Sequence, residues 1–405
     1  MPRPPRRIPT GTEAHTQLET STPSDPQPPP RPPWIFGRIL AGFIVLLIIV
    51  AGGVAAGWWI RSQSARVATP EVIGTTSPEI TDVVGRHVLK TAGPAVVRVL
   101  GTTCAGTGEG SGALIDGETI LTAASAIRQP LSIVIVTPDY RIRRANLLGT
   151  SADGVAVLRM VGRLGNTLPL AGTGPDPKAD RVLVGYTASA KETMQSIGSI
   201  AKPVVLSTVM NTAELGGPVL DKSGQVIGVV VGDNVKNSRI VGVDKLRGYV
   251  ARGSTAITAE LGSCRRSRGP QSPVVPELQV ASTPLAAEAQ RLLAGYFTLQ
   301  NRHDFQAVQS LYSEKLARSL DVERDSKGHQ TSYFFIPKVT DVTPTETDGA
   351  AARVSLNVLF SPRAKGAEGE ACRRLDYKYD LVREGGKLVI DDVDPMSPMR
   401  GCDAE

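Results

Sequence analysis

Acyl transfer by a side-chain nucleophile needs a hydroxyl or thiol, a base to take its proton and a group that holds the base in one tautomer. Bases are scarce in this chain of 405 residues, which has four histidines: His15, His87, His303 and His329. None lies between residues 88 and 262. His87 falls in a predicted helical lead-in. His329 sits in a polar turn, and His303 precedes Asp304 at a helix boundary, where capping is the expected role. No Ser and Lys form a recognisable dyad, and no acid–base pair stands out. The four cysteines, Cys104, Cys264, Cys372 and Cys402, have no CxxC spacing, so neither a zinc site nor a redox motif is expected. No cofactor and no metal is implied.

Composition sets the elements that must carry any site. Charged residues at 21% and apolar residues at 41% describe an ordinary folded chain, long enough for two or three domains. The net charge is +6, yet beyond residue 60 there are 40 basic against 36 acidic residues, so no nucleic-acid partner is expected. Arginine exceeds lysine by 32 to 13, a bias typical of a GC-rich, actinobacterial genome. Residues 1–38 hold eleven of the thirty prolines and no apolar periodicity, which predicts a disordered tail. Thr10, Thr12, Thr16, Thr20 and Thr22 there could be phosphorylated and read by a cytoplasmic partner, although a plain spacer accounts for the tail as well.

From Ile39 to Ile60 the sequence is uncharged, and as a helix it would span roughly 33 Å, enough to cross a bilayer. Trp34, Trp58 and Trp59 flank it, and Arg31 and Arg38 precede it. This predicts a single-pass anchor with the N-terminus in the cytoplasm and the remainder outside. Residues 61–74 follow as a linker. All four cysteines would then lie in an oxidising compartment. Three pairings are open to them, and their locations suggest Cys104 with Cys264 and Cys372 with Cys402.

Residues 75–262 read as short β-branched strands separated by Gly, Asp and Asn turns, an all-β barrel or sandwich. Gly110-Ser111-Gly112 is followed by Leu121-Thr122-Ala123-Ala124-Ser125, then Gly154-Val155-Ala156-Val157-Leu158. Next comes Ala213-Glu214-Leu215-Gly216-Gly217-Pro218, leading into Gln225-Val226-Ile227-Gly228-Val229-Val230. In these motifs the segment resembles the chymotrypsin-fold serine proteases, in particular the bacterial trypsin-like and HtrA-type branch. The resemblance implies two β-barrels with a cleft between them. It also places Ser125 at the position of the general base, Gly154 at that of the orienting aspartate and Leu215 at that of the nucleophile. Asp153 and Glu214 are immediate neighbours, and Ala213 stands where the family has a glycine. Leucine cannot attack and serine is no base near neutral pH, so the resemblance implies a pseudoprotease whose cleft holds an envelope peptide or protein without cutting it. The alternatives are an active protease with non-standard groups, or a small-ligand binding or enzymatic function in the C-terminal α+β domain.

The stretch from Asp244 to Leu261 is expected to be a closing helix, weakened by Gly248 and Gly253. Residues 263–283 are basic, polar and broken by proline, and read as a solvated linker. In residues 284–405, Leu292, Leu293, Tyr296 and Phe297 predict one helix and Asp304 caps a second, with Phe305, Val308, Leu311 and Tyr312 inward. Alternating strands follow at Val354–Phe360, at Leu375–Leu381 and from Lys387 to Val393. This α+β order is similar to the cone-shaped superfamily of nuclear transport factor two, whose members bind ligands, dimerise or act as small enzymes.

Overall fold

The structure is a computed structural model that describes residues 83–174, 181–186, 194–199 and 215–402. The predicted tail (1–38), anchor (39–60) and linker (61–74) lie outside the described residues, as do His15, Ala213 and Glu214. Among the described residues no helix is long and apolar enough to cross a membrane.

Helix α1 (Val83–Ala92) leads into six strands: β1 (Val96–Thr103), β2 (Glu109–Leu114), β3 (Thr119–Ala123), β4 (Pro130–Val136), β5 (Ile142–Thr150) and β6 (Val155–Met160). They close into an antiparallel barrel in the order β1-β2-β3-β6-β5-β4. The period-two alternation of a strand sorts its residues. Val97 and Val99 of β1 and Ile133 and Ile135 of β4 fill the barrel with Leu114, Ile120 and Leu158. The second half comprises β7 (Val182–Tyr186), β8 (Met194–Ser199), β9 (Pro218–Leu220), β10 (Val226–Val231) and β11 (Arg239–Gly242). Among the described residues these form a five-stranded sheet, β11-β10-β9-β7-β8, not the second closed barrel that the resemblance implies. One buried cluster joins the two halves, with Leu121, Val155, Leu183, Val219, Val229 and Leu246 in it.

The closing helix is shorter than expected. Helix α2 spans Val243–Val250 and stops where Ala251 turns extended. Gly253 follows with φ +71°, and Thr258 then exchanges two backbone hydrogen bonds with Thr150 at the end of β5. Pairing with the first barrel satisfies backbone groups that a longer helix would have satisfied internally.

After β12 (Glu277–Leu278) come four helices, α3 (Pro284–Asn301), α4 (Phe305–Gln309), α5 (Glu314–Ser319) and α6 (Val322–Gly328). Strands β13 (Tyr333–Pro344), β14 (Ala350–Leu359), β15 (Cys372–Glu384), β16 (Lys387–Pro395) and β17 (Arg400–Gly401) complete the part. The sheet runs β12-β13-β14-β15-β16, with β12 parallel to β13 and β17 paired to β15. Thr283 caps α3 by accepting from the Ala286 amide. Leu293, Tyr296 and Phe297 pack from α3 onto Val354, Leu356 and Tyr379. A two-pronged ion pair, with both Arg383–Glu288 contacts at 3.0 Å, ties α3 to the end of β15.

The expected solvated linker is instead part of the structure. Ser267, Gly269, Pro270 and Ser272 are buried. Thr103 and Arg268 exchange backbone hydrogen bonds of 2.7 and 2.6 Å, adding the linker to the end of β1. Beside it the outward residues of the first barrel, Leu100, Val134, Val136 and Ile142, pack against Phe335, Ile336 and Leu359 of the C-terminal sheet. Burying side chains of this size contributes about 1.5–3 kcal/mol each, far more than a polar connector could. The cysteines pair as Cys104–Cys264 and Cys372–Cys402, with Cα separations of 5.7 and 5.5 Å. The first closes the start of this linker onto β1.

Tyr333 is the hinge pin of the seam. It is 1% exposed, its ring lies against Gly269, and its hydroxyl donates to the Ser267 carbonyl. Burial pushes that hydroxyl up to about 12, so it remains a donor at any ordinary pH. Tyr333→Phe is expected to lower unfolding free energy by about 1–2 kcal/mol, because it strands a buried carbonyl. Urea denaturation of variant and parent is the check.

Candidate functional site

The three motif frames meet where the two β halves join. The Ala124 amide donates to the Gly154 carbonyl at 2.8 Å, linking the turn that carries Ser125 to the turn before β6. The Ser111 amide donates to Leu215 O at 2.8 Å, Gly216 N to Val230 O at 2.7 Å, and Val230 N to Gly217 O at 3.0 Å. Gly216 has φ +91°, and a Cβ there would lie 2.1 Å from Ser111 O and 2.4 Å from Thr122 Oγ1. A glycine is therefore required at this crossing whatever side chain precedes it. The backbone hydrogen bonds join the turn that carries Ser125 to Gly154, and strand β2 to Leu215.

The side chains at these three positions supply no imidazole and no carboxylate. Leu215 is 1% exposed and belongs to the shared apolar cluster. Ser125 sits in a one-turn 3-10 helix, Ala124–Ala126, is 8% exposed, and its Oγ has no hydrogen-bond partner among the described residues. Gly154 offers no carboxylate and has φ +84°. Asp153 does not substitute for it, because its carboxylate accepts from Lys245 Nζ at 2.8 and 3.0 Å and from the Tyr249 hydroxyl of α2. Those hydrogen bonds hold Asp153 below the usual carboxylate range, in the service of fastening α2 to the turn. His87, on α1, is exposed.

One histidine, His303, shares a pocket with Ser125. A pocket of about 560 Å³ opens along the seam with the C-terminal part, and Ser125 lies in its wall. Glu109 and Arg128 contribute from the first barrel, Arg268 from the linker, and Arg302 and His303 from the end of α3. Glu109 is 3% exposed; its Oε1 accepts from Ser272 Oγ at 2.6 Å, while Oε2 has no hydrogen bond and lies 3.8 Å from Arg98. Arg128 pairs with Asp233 at 2.7 Å, an ion pair that runs from the turn after Ser125 to the segment after β10. His303, at φ +54°, stacks on Tyr333 at 4.8 Å, and its Nε2 hydrogen-bonds Ser332 O. Asp304 caps α4 through the Ala307 amide, as its position suggests. His329 lies between Phe305 and Phe334, with ring centroids 6.0 and 6.5 Å away. No motif in the sequence marks this pocket. Its walls come from segments up to about two hundred residues apart, a separation no local motif can report.

The barrel and the turns that meet at its edge have the form of a trypsin-like β domain. Residues 110–229 match the family model of the trypsin-like peptidase domain. Among solved structures the chain is similar to the Rv3671c protease in an inactive form, at 19% identity and TM-score 0.33 over 42% of this chain and 93% of that one. The active form of the Rv3671c protease from M. tuberculosis matches at 20% identity and TM-score 0.37, over 44% and 89%. The serine endoprotease from Yersinia pestis matches at 20% identity and TM-score 0.35, over 42% of this chain and 65% of that one. No curated protein matches.

Leu215→Ser is expected to cost about 3 kcal/mol of stability through lost apolar burial, without creating a nucleophile that reacts with a fluorophosphonate. At Gly154 a Cβ would meet nothing closer than Val231 Cβ at 3.8 Å, so only the left-handed backbone opposes a side chain. Gly154→Asp should therefore cost about 1–2 kcal/mol. Urea midpoints read both effects.

Burial holds His303 and His329 below the ordinary imidazole value, against the Ser332 hydrogen bond in one case and Asp325 in the other. As pH falls through about 6.5 the unfolded chain takes up protons that the native histidines refuse. Their contribution to stability is thus present above that value and lost as pH falls toward the depressed native ones. Replacing both with Asn should flatten the fall in urea midpoint between about pH 7.5 and 5.5. An unchanged slope would contradict the burial argument.

Proposed function

We propose that the chain is a membrane-anchored, extracytoplasmic pseudoprotease of the cell envelope that binds a peptide or protein without hydrolysing it. The observation that carries this reading is Leu215, an apolar side chain 1% exposed at the nucleophile position. The lack of any histidine between residues 88 and 262 supports it independently. A β cleft can accept an extended peptide through main-chain hydrogen bonds, which requires no triad. Residues 39–60 supply the proposed anchor, and the two disulfides suit an oxidising compartment outside the cytoplasm. The helix-then-sheet order of residues 284–405 favours the cone-like fold of the nuclear transport factor two superfamily.

The test is incubation of the purified full chain with a casein substrate and, separately, a fluorophosphonate probe. No cleavage and no covalent adduct is the expected result. A single labelled serine, lost on its replacement by alanine, would make the protein an active protease and overturn the proposal.

A further inference from the structure

The seam pocket carries an inference that does not depend on whether the cleft between the β halves binds anything. Its wall combines two kinds of group with hydrogen-bonding capacity to spare, although Glu109 Oε2 also lies 3.8 Å from Arg98. Arg268 and Arg302 are exposed, and among the described residues neither guanidinium has an ion-pair partner. Ser125 and Glu109 are more than nine-tenths buried, and each has an oxygen, Oγ or Oε2, without a hydrogen bond among the described residues. A buried polar atom left unpaired costs about 1–3 kcal/mol, a cost that persists unless something relieves it.

We propose that this pocket binds the C-terminal end of a peptide, with the α-carboxylate held by Arg268 and Arg302 and the last amide N–H directed to Ser125 and Glu109. The charges select this chemistry. Arg128 is paired with Asp233 and Glu109 lies 3.8 Å from Arg98, which leaves Arg268 and Arg302 as two guanidiniums that one carboxylate can bridge. A dianionic phosphate would meet the carboxylate of Glu109 with an extra charge and bring no N–H donor to it. A peptide end has both required parts, a planar carboxylate suited to guanidinium forks and an adjacent donor. A volume of about 560 Å³ suits a few residues, and the pocket is open on one side, so the rest of a chain can leave it. Ser125 needs only rotation about one torsion to accept from the ligand or donate to it. The residue that stands in the general-base position is then a binding residue of a different pocket.

Titration calorimetry of the full chain with N-acetyl-dialanine, its C-terminal amide and inorganic phosphate tests this. The dipeptide acid should bind at least tenfold more tightly than the amide. Arg268→Gln and Arg302→Gln should each weaken it about tenfold, the scale of one lost charge-assisted pair. Ser125→Ala should weaken it severalfold, and Arg163→Gln, at an exposed arginine paired with Glu118 and not part of the pocket wall, should leave it unchanged. Both pocket arginines lie at the surface, so their variants are expected to fold, and an unchanged urea midpoint confirms it. Equal binding of acid and amide, no binding of either, or tighter binding of phosphate would each overturn the proposal.

Discussion

The contact on which most of this architecture depends is the apolar seam between the outside of the first barrel and the C-terminal sheet. Alternation along β1 and β4 gives the barrel two apolar faces: Val97, Val99, Ile133 and Ile135 inside, and Leu100, Val134 and Val136 outside. An outward face of that kind is a liability in water, and Phe335, Ile336 and Leu359 cover it. Covering it draws the linker in as well, so that Arg268 pairs with Thr103 and Ser272 reaches Glu109. The Cys104–Cys264 bridge and the Tyr333 hydroxyl fasten the same stretch at its two sides. The pocket, its unpaired oxygens and the stacked His303 all follow from that docking.

The frame around residue 215 is held by backbone interactions. The Gly-Gly-Pro turn is the backbone junction of the two β halves, held by Ser111, Val230 and Gly217 through main-chain hydrogen bonds and by the lack of a Cβ at Gly216. None of those interactions uses the side chain of residue 215. Leucine there adds apolar contacts to the shared core, where a serine would bury a hydroxyl. Asp153 shows the same economy at another corner, where a carboxylate next to the orienting position clamps α2 instead of a histidine.

Much of the C-terminal part was legible because its elements are amphipathic. Leu293, Tyr296 and Phe297 recur at helical spacing, and Leu375, Tyr379 and Leu381 keep to the buried side of a strand. Strand β13 was not legible. Its start, Tyr333-Phe334-Phe335-Ile336, is buried on both faces, one against α3 and the other against the barrel, so period two is absent. The linker misled in the opposite sense. Its arginines and prolines read as solvated, yet its small residues are the ones buried, and composition averages over that distinction.

By itself the sequence determined the β frame, the order of the motifs that hold Ser125, Gly154 and Leu215, and the absence of a histidine between residues 88 and 262, because motif order and residue type are local properties. It also pointed to the cysteine partners without choosing among the pairings. The tertiary structure alone decided that Asp153 is occupied by Lys245 and Tyr249, that the two parts share a seam, and that Ser125 faces a pocket built with Arg268, Arg302 and His303. Those facts depend on which distant surfaces bury each other. Apolar burial is non-directional, and it leaves no spacing in the chain from which a partner surface could be read.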